Sequence, residues 1–281
     1  MERVYDSIVK KEPINKGYSK DKKFIASTKD GTCYLLRISP MSLYENRELL
    51  FSMLKQVEAL GIPMCLPVEF GVCESGVYSI QSWICGDDLE SVLPKLSPSE
   101  QYKFGKKAGE MLLKIHTITS PNTQKGWDVH FSKVAGENIK LYQDYESKIE
   151  GYEHFVDYIQ QNLHLLRNRP QCFHHGDFYT GNMMTKDGDL IIIDFDRYAF
   201  GDPWKEFDRV VWSARTSDYF ATGQINRYFN EEPPLEFFKL LNLYVASTML
   251  SYVSWGVPFK QSWLENMSNP FPAWYLRDFA K

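Results

Sequence analysis

The sequence predicts an α+β protein with two lobes: a small N-terminal lobe built on an antiparallel sheet (residues 1–84) and a larger, mainly helical C-terminal lobe (residues 85–281). Two observations support this division. Strand-like segments separated by short polar turns fill the first part of the chain, and from Leu89 onward the apolar residues recur at helical spacing. A chain of 281 residues can also bury a sizeable core, either as one large domain or as two lobes.

The N-terminal sheet is predicted from apolar segments and the turns between them. Residues 14–28 followed by the turn at residues 30–32 predict a hairpin that leads into a strand over residues 33–38. Two further strands, over residues 66–72 and 77–83, flank another short turn. These segments together would form a small antiparallel sheet.

Two helices are predicted with clear start or stop signals. Residues 42–60 carry apolar side chains at helical spacing, and Gly61 follows as a stop. In the second lobe, Ser97 and Glu100 form a capping box that opens a long helix. This helix carries glycines at positions 105 and 109, whose spacing allows another helix to cross closely.

The segment over residues 174–202, HHGDFYTGNMMTKDGDLIIIDFDRYAFGD, carries the chemistry. Asp177 and Asn182 lie five positions apart in a glycine-containing loop, and Asp194 follows an apolar run that predicts a buried strand. Phosphoryl transfer needs a divalent metal and one residue that orients the attacking hydroxyl, because its transition state spreads negative charge over the transferred group. The segment therefore predicts a phosphoryl-transfer site.

Two motifs in this segment identify a family. Residues 175–182 and 193–196 resemble the HGD-x-x-x-x-N and I-D-F/W-[DE] motifs of the aminoglycoside phosphotransferase and choline kinase-like phosphotransferase family, in order and at suitable spacing. Residues 201–208, GDPWKEFD, continue the resemblance. It implies a protein kinase-like, two-lobed fold in which the N-terminal lobe binds nucleotide and the C-terminal lobe carries the catalytic and acceptor-binding residues.

The resemblance also implies residue roles. Asp177 would orient the acceptor hydroxyl and take its proton late in the reaction, while Asn182 and Asp194 would hold Mg²⁺. Asp196 would support the site from outside the set of residues that contact the metal. The phosphoryl donor would be ATP or GTP. The sequence does not distinguish the two, because backbone contacts to the base do not depend on which side chains are present.

Nucleotide contacts are expected from a hairpin loop, a strand cation with a helix glutamate, and the connector between the lobes. The residues expected to make them are Gly17, Ser19, Arg37, Glu48, Ser82 and Ile84. Arg37 occupies the place where kinases have the strand lysine, and a guanidinium keeps the charge while changing the geometry. Glu48, in the first half of the predicted helix, is expected to pair with it.

Departures from eukaryotic protein kinases exclude one function. In protein kinases, the arginine of the H-R-D motif binds the phosphorylated activation loop, and this chain has Gly176 at that position. The glycine of their D-F-G motif is replaced by Asp196. A protein kinase switched by phosphorylation is therefore not expected.

Charge and cysteine content exclude further classes. The net charge is −4 with Lys and Arg scattered, so no basic stripe for nucleic acid is predicted. The five cysteines form no C-x-x-C pair and their number is odd, which favours reduced thiols and a cytoplasmic location. The chain contains neither a secretory apolar region nor a membrane-length apolar run, so no membrane association is expected.

The acceptor is expected to be a cationic, amine-bearing small molecule. The C-terminal helical region mixes aromatic residues with carboxylates, and in the family such helices border the acceptor pocket. An aminoglycoside kinase, and with it antibiotic resistance, is the first hypothesis. A housekeeping kinase for choline, ethanolamine, an amino-sugar or homoserine, or a macrolide kinase, remains an alternative. A nucleotide-binding module without catalysis is disfavoured, because Asp177 and Asp194 are both present.

Overall fold

The computed structural model describes residues 3–15, 21–121, 126–145, 152–252, 271–277 and 279. The chain forms two compact units: the first comprises Met1–Leu89 and Asn182–Asp196, and the second Glu90–Gly181 and Arg197–Lys281. The first unit thus runs beyond residue 84 and includes a segment from the middle of the chain. The nucleotide and acceptor roles assigned to the two predicted lobes stay predictions.

The elements follow one another along the chain with mostly short connections. The described strands are β1 Ile8–Pro13, β2 Lys22–Thr28, β3 Cys33–Ser39, β4 Pro67–Cys73, β5 Gly76–Ser82, β6 Asp87–Asp88, β7 Cys172–His174, β8 Met183–Lys186, β9 Asp189–Ile192 and β10 Ala199–Gly201. The described α-helices are α1 Val4–Ser7, α2 Tyr44–Ala59, α3 Leu89–Val92, α4 Pro98–Ile115, α5 Trp127–Gln143, α6 Tyr152–Asn162, α7 Val210–Thr216, α8 Asp218–Tyr228 and α9 Leu235–Tyr252.

The first unit is built on an antiparallel sheet with strand order β1-β2-β3-β5-β4. The predicted strands within it are confirmed. β1 was not predicted because half of its residues, in the sequence IVKKEP, are charged and the strand is mostly exposed. A small core lies on this sheet, formed by Ala26, Leu36, Ile38, Tyr78 and Ile80.

A second sheet in the first unit holds the segment that carries two predicted site residues. Its order is β6-β8-β9, and β8 pairs antiparallel with β9 in the register Met183↔Ile192. Ile192 also donates its N–H to the carbonyl of Pro63 at 3.0 Å, so the hairpin is fixed to the loop after α2. The predicted buried strand is confirmed, since Leu190, Ile191 and Ile192 are buried.

In the second unit, α4 and α8 cross at very short range. A Cβ atom at Gly105 would collide with the carbonyl oxygen of Phe220, and one at Gly109 with that of Gln224. Gly223 approaches α4 in the same way, because its Cβ would collide with the carbonyl of Tyr102. The close crossing predicted from the glycine spacing is confirmed.

The start of α4 also follows the sequence. Ser97 accepts from the backbone N–H of Glu100 at 3.4 Å, and the Glu100 carboxylate accepts from the backbone N–H of Ser97 at 2.9 Å. Both halves of the predicted capping box are therefore present.

The core of the second unit is aromatic and is organised around a buried carboxylate. Asp202 accepts two hydrogen bonds from Arg169, at 2.7 and 2.9 Å, and one from the Tyr244 hydroxyl at 2.6 Å. It also accepts from the backbone N–H of Trp204 at 3.0 Å and so caps a 3₁₀ helix over Pro203–Arg209. None of the described helices has both the length and the apolar character needed to cross a membrane.

We expect Gly105→Ala to lower the free energy of unfolding by about 2 kcal/mol, because the added methyl group would push α4 away from the rigid backbone of α8. The matched control is Gly136→Ala on α5, where a Cβ meets nothing within 4 Å. That substitution should raise stability by about 0.5–1 kcal/mol through helix propensity. Urea unfolding of the two variants measures both changes; equal stabilities would contradict the close crossing.

Candidate functional site

A buried cluster of charges occupies the first unit around Arg37, which lies in the central strand β3. Its guanidinium donates to Asp194 Oδ1 at 3.0 Å, forms an ion pair with Asp196, and lies 3.6 Å from Asp21 Oδ2. Only 8% of the Arg37 side chain is exposed. Burial acts to lower the pKa of Arg37, but the charges of the three carboxylates outweigh it and raise the pKa. The cation is thus held charged.

Helix α2 contributes a second cation to this cluster. Arg47 donates to Asp196 Oδ1 at 2.6 Å, to Asp21 Oδ2 at 2.8 Å and to the Ser39 hydroxyl at 3.0 Å. Arg47 precedes the buried residues Leu50 and Leu54 by three and seven positions, so helical geometry places it on the inner face of α2.

The expected pair between Arg37 and Glu48 is not formed among the described residues. Glu48 is exposed on α2 and accepts a hydrogen bond from the Tyr44 hydroxyl at 2.9 Å. Adjacent helix residues point about 100° apart, so an α2 that turns Arg47 inward turns Glu48 away. The role expected of Glu48, to hold Arg37, is filled in this structure by Asp21, Asp194 and Asp196.

The two expected metal ligands in the first unit lie at the same end of the β8–β9 hairpin. The backbone N–H of Ile193 donates to the carbonyl of Asn182 at 3.0 Å, immediately before Asp194. Asp194 has φ +62°, a left-handed conformation that is uncommon for a residue with a side chain. Strained backbone positions of this kind cluster at functional sites. The carboxylate of Asp194 also lies 3.7 Å from Lys23 Nζ.

The remaining expected nucleotide contacts divide into two groups. Gly17 and Ser19 lie outside the described residues. The backbone N–H of Ser82 donates to the carbonyl of Leu66 at 2.9 Å, and the Ser82 hydroxyl oxygen accepts from the N–H of Leu66 at 2.8 Å. Both groups of Ser82 are therefore already hydrogen-bonded within the first unit. For Ile84, no backbone partner is found in the described part of the chain. Of this connector pair, Ile84 is the better candidate for a base contact.

In the second unit, the expected catalytic residue Asp177 follows the buried strand β7 in a tightly constrained loop. Gly176 has φ +84°, and a Cβ there would collide with the carbonyl oxygen of Arg197. The arginine that protein kinases carry at this position could not be accommodated. The backbone N–H of Asp177 donates to Nδ1 of the buried His175 at 3.2 Å, which holds the loop from inside.

Two arginines flank the Asp177 carboxylate. Arg209 Nε lies 3.0 Å from Asp177 Oδ1, and Arg197 Nε lies 3.9 Å from Oδ2. The shorter contact is an ion pair by distance but is not aligned as a hydrogen bond. Cations on both oxygens restrict the orientation of the carboxylate.

A buried carboxylate, Glu206, holds the backbone one residue before Asp177. Its Oε1 accepts from the N–H of Gly176 at 2.9 Å. Burial alone would raise the pKa of Glu206, but His116, His174 and His175 together lower it to about 2. Burial lowers the pKa of His174 to about 4, so near neutral pH this histidine is uncharged and Glu206 is ionised.

Several carboxylates of the C-terminal region already have partners in the structure. Asp208 is buried and accepts from Lys205 and from the Thr248 hydroxyl, both at 2.7 Å. Glu231 lies 2.9 Å from Lys106 Nζ. Asp218 lies in the first turn of α8, and burial raises its pKa. Asp208 and Glu231 are therefore already paired with cations of this chain.

Sequence reasoning missed four residues that lie beside the expected site residues: Asp21 and Arg47 in the first unit, and Glu206 and Arg209 in the second. Arg47 could have been found from the phase of α2, because it shares the apolar stripe of that helix. Glu206 lies in the GDPWKEF segment, where the sequence offered a motif position but no role. Asp21 and Arg209 carry no local signal, since their partners are distant in sequence.

A model of the phosphotransferase enzyme family matches residues 11–238. A search of curated protein sequences found no match. Many solved structures also match this chain, including the following three.

Aminoglycoside phosphotransferase APH(2'')-Ib, bound to ADP, is 16% identical with a TM-score of 0.63 and 95% of each chain covered. The streptomycin–ATP ternary complex of APH(2'')-IIa is 15% identical with a TM-score of 0.64, covering 93% of this chain and 90% of that one. A choline/ethanolamine kinase family protein from Mesorhizobium loti is 16% identical with a TM-score of 0.61, covering 94% and 82%. The predicted α+β, protein kinase-like fold is confirmed.

We expect Arg47→Gln to lower the free energy of unfolding by about 3 kcal/mol, because the buried carboxylate of Asp21 would lose its closest cation. Glu48→Gln on the same helix is the matched control and should leave the thermal midpoint nearly unchanged, since its side chain is exposed. Differential scanning calorimetry compares the two. A larger loss for Glu48→Gln would show that Glu48, and not Arg47, supports the cluster.

Proposed function

The chain belongs to the phosphotransferase enzyme family, and from this membership we propose that it is a small-molecule kinase. In this proposal it transfers the γ-phosphoryl group of ATP or GTP to a hydroxyl of an amine-bearing acceptor. The observation that carries the proposal is the arrangement in the first unit, where Arg37 binds the carboxylate of Asp194 and the backbone of Asn182 adjoins the same strand end.

The proposed reaction assigns one role to each expected catalytic residue. The acceptor hydroxyl oxygen attacks the γ-phosphorus, the bond from phosphorus to the β–γ bridging oxygen breaks, and the hydroxyl proton passes to Asp177. Arg37 binds phosphate oxygens of the nucleotide. The contacts of Arg197 and Arg209 with Asp177 support this role, since they orient its carboxylate before an acceptor binds.

The residues at the end of the β8–β9 hairpin suit Mg²⁺. A carboxylate from Asp194 and an amide oxygen from Asn182 are the hard oxygen donors that this ion prefers. When bound, magnesium would neutralise charge on the nucleotide phosphates. Asn182 and Asp194 would hold it, and Arg37, now beside Asp194, would hold the phosphates.

An amine-bearing acceptor is proposed on two grounds. The relatives with solved structures include enzymes bound to aminoglycosides, and acidic side chains such as Asp218 occur in the C-terminal helices of this chain. A choline- or ethanolamine-type acceptor is the second candidate, favoured by the likeness to the Mesorhizobium loti protein. Both classes carry a hydroxyl together with a cationic nitrogen.

The testing experiment measures nucleoside diphosphate release with ATP and with GTP, in the presence of magnesium. The acceptor panel contains aminoglycosides, macrolides, choline, ethanolamine, homoserine and amino-sugars. Release that depends on one acceptor class establishes the kinase and names its substrate. Tight nucleotide binding without release to any acceptor would favour the non-catalytic binding module.

We expect Asp177→Asn to lower kcat roughly 10³-fold, because the amide keeps the shape of the carboxylate but takes no proton. Asp187→Asn, in the exposed β8–β9 turn, is the matched control and should keep full activity. Steady-state kinetics on the identified acceptor measures both. Undiminished turnover by Asp177→Asn would remove Asp177 from the proposed role.

We expect Asp194→Asn to raise the magnesium concentration needed for half-maximal activity, because a metal carboxylate is lost. Asparagine tolerates a left-handed backbone, so this variant should remain folded, whereas Asp194→Ala should also lower the thermal midpoint. Activity titrated with MgCl₂, alongside thermal unfolding, separates the two effects. An unchanged magnesium requirement would argue against Asp194 as a ligand.

A further inference from the structure

A compact group of metal-binding side chains lies in the second unit, apart from the residues assigned to magnesium. One ligand atom each from His116, Cys172 and His174 can be chosen so that all three lie within 4.8 Å of one another. Cys172 and His174 are buried, and the side chain of His116 is only 5% exposed. The carboxylate of Glu206 adjoins this group, with its Oε2 at 4.0 Å from His116 Nε2.

Two buried atoms of this group, His116 Nε2 and His174 Nε2, lack a hydrogen-bond partner among the described residues. The same is true of Oε2 of the adjoining Glu206. Unsatisfied buried polar groups are rare in native proteins and each one needs a physical explanation. The other nitrogen of His116 is already engaged, since Nδ1 lies 2.8 Å from the Tyr228 hydroxyl. If Nδ1 donates to Tyr228, Nε2 presents a lone pair toward Glu206, and a cation between them satisfies both.

We propose that His116, Cys172, His174 and Glu206 bind a tetrahedral divalent ion of the zinc type. One thiolate, two imidazoles and one carboxylate form a donor set that suits Zn²⁺ and does not suit Mg²⁺. Ligand atoms on one zinc ion lie roughly 3.5 Å apart. The ligand atoms of His116, Cys172 and His174 lie within 4.8 Å of one another and Glu206 Oε2 lies 4.0 Å from His116 Nε2, so the four side chains have to move closer together on binding. The contact between His116 and Tyr228 would orient the imidazole from behind, as is usual for histidine ligands.

Charge balance favours this ion in a buried position. Binding displaces the thiol proton of Cys172, which leaves to solvent, and the resulting thiolate together with the Glu206 carboxylate neutralises the two charges of Zn²⁺. The same carboxylate holds the N–H of Gly176 at 2.9 Å through its other oxygen. The ion would therefore fix the backbone that carries Asp177.

The backbone presents the ligands on a rigid frame. Cys172 and His174 are two positions apart on β7, so their side chains lie on the same face of the strand. Strand β10 pairs with β7, and the N–H of Phe173 donates to the carbonyl of Ile118 at 2.8 Å, which fixes β7 to the chain just after His116. The side chains would therefore close on the ion by their own rotation while this backbone frame stays in place.

The test uses the full chain in a background with the exposed thiols removed, Cys33→Ser/Cys85→Ser. Zn²⁺ is supplied during expression, and metal content is measured by elemental analysis after dialysis against excess Mg²⁺. We expect about one zinc ion per chain. Substitution with Co²⁺ should give a thiolate-to-cobalt charge-transfer band together with the strong visible bands of tetrahedral cobalt. Chelation should lower the thermal midpoint by at least ~3 °C.

Two variants assign the ion to these residues. Cys172→Ala should lose both the zinc and the cobalt band, while Cys65→Ala, which removes another buried thiol, should keep both. If Cys172→Ala is insoluble, the background protein itself decides: it is unfolded and refolded with Co²⁺ or with chelator, and only the cobalt sample should show the charge-transfer band. Fewer than ~0.1 ions per chain, equal metal in Cys172→Ala and Cys65→Ala, or refolding without the band would each overturn the proposal.

These readouts need no acceptor or nucleotide. Failure of the kinase assay would leave the zinc measurement intact, and absence of zinc would leave the kinase proposal intact.

Discussion

The first unit depends on keeping one buried cation charged. Arg37 lies in the central strand of the five-stranded sheet, where an unpaired guanidinium would cost several kcal/mol. Asp21, Asp194 and Asp196 surround it, and Arg47 and Lys23 complete the cluster, so three carboxylates face three cations. Because the cluster is neutral as a whole, it is stable inside the unit, and its members hold one another in fixed orientations.

In the second unit, a buried carboxylate fixes the orientation of the loop that carries Asp177. Glu206 binds the N–H of Gly176, whose backbone conformation and lack of a side chain let the chain pass the carbonyl of Arg197. Glu206 is ionised near neutral pH, since its pKa lies at about 2 despite the opposing effect of burial. The loop geometry at Asp177 is therefore supported from the core, by residues that do not themselves face solvent.

The sequence predicted those parts of the protein whose signals are local. Capping at Ser97, the glycine crossing at Gly105 and the strand before Asp194 each depend on residues close together in the chain, and each is confirmed. Glu48 was expected to pair with Arg37 from the family resemblance and from its place in the first half of the helix, without regard to helix phase. The structure turns Arg47 inward and leaves Glu48 exposed. Ion pairs such as Arg37–Asp194 join residues 157 positions apart, and no local pattern encodes them.

Asp177 and Asp194 share an arrangement, although each lies in a different unit. Each carboxylate follows a buried strand, at or beside a residue with positive φ, and each is approached by two cations. In the proposed reaction a metal ion would face Asp194 and an acceptor hydroxyl would face Asp177. The flanking cations orient these carboxylates in the free protein. If Asp194 and Asn182 held magnesium, the guanidinium donors of Arg37 that now bind Asp194 would be available to phosphate oxygens. An ion pair that stabilises the free protein would thus become a phosphate contact in the working enzyme.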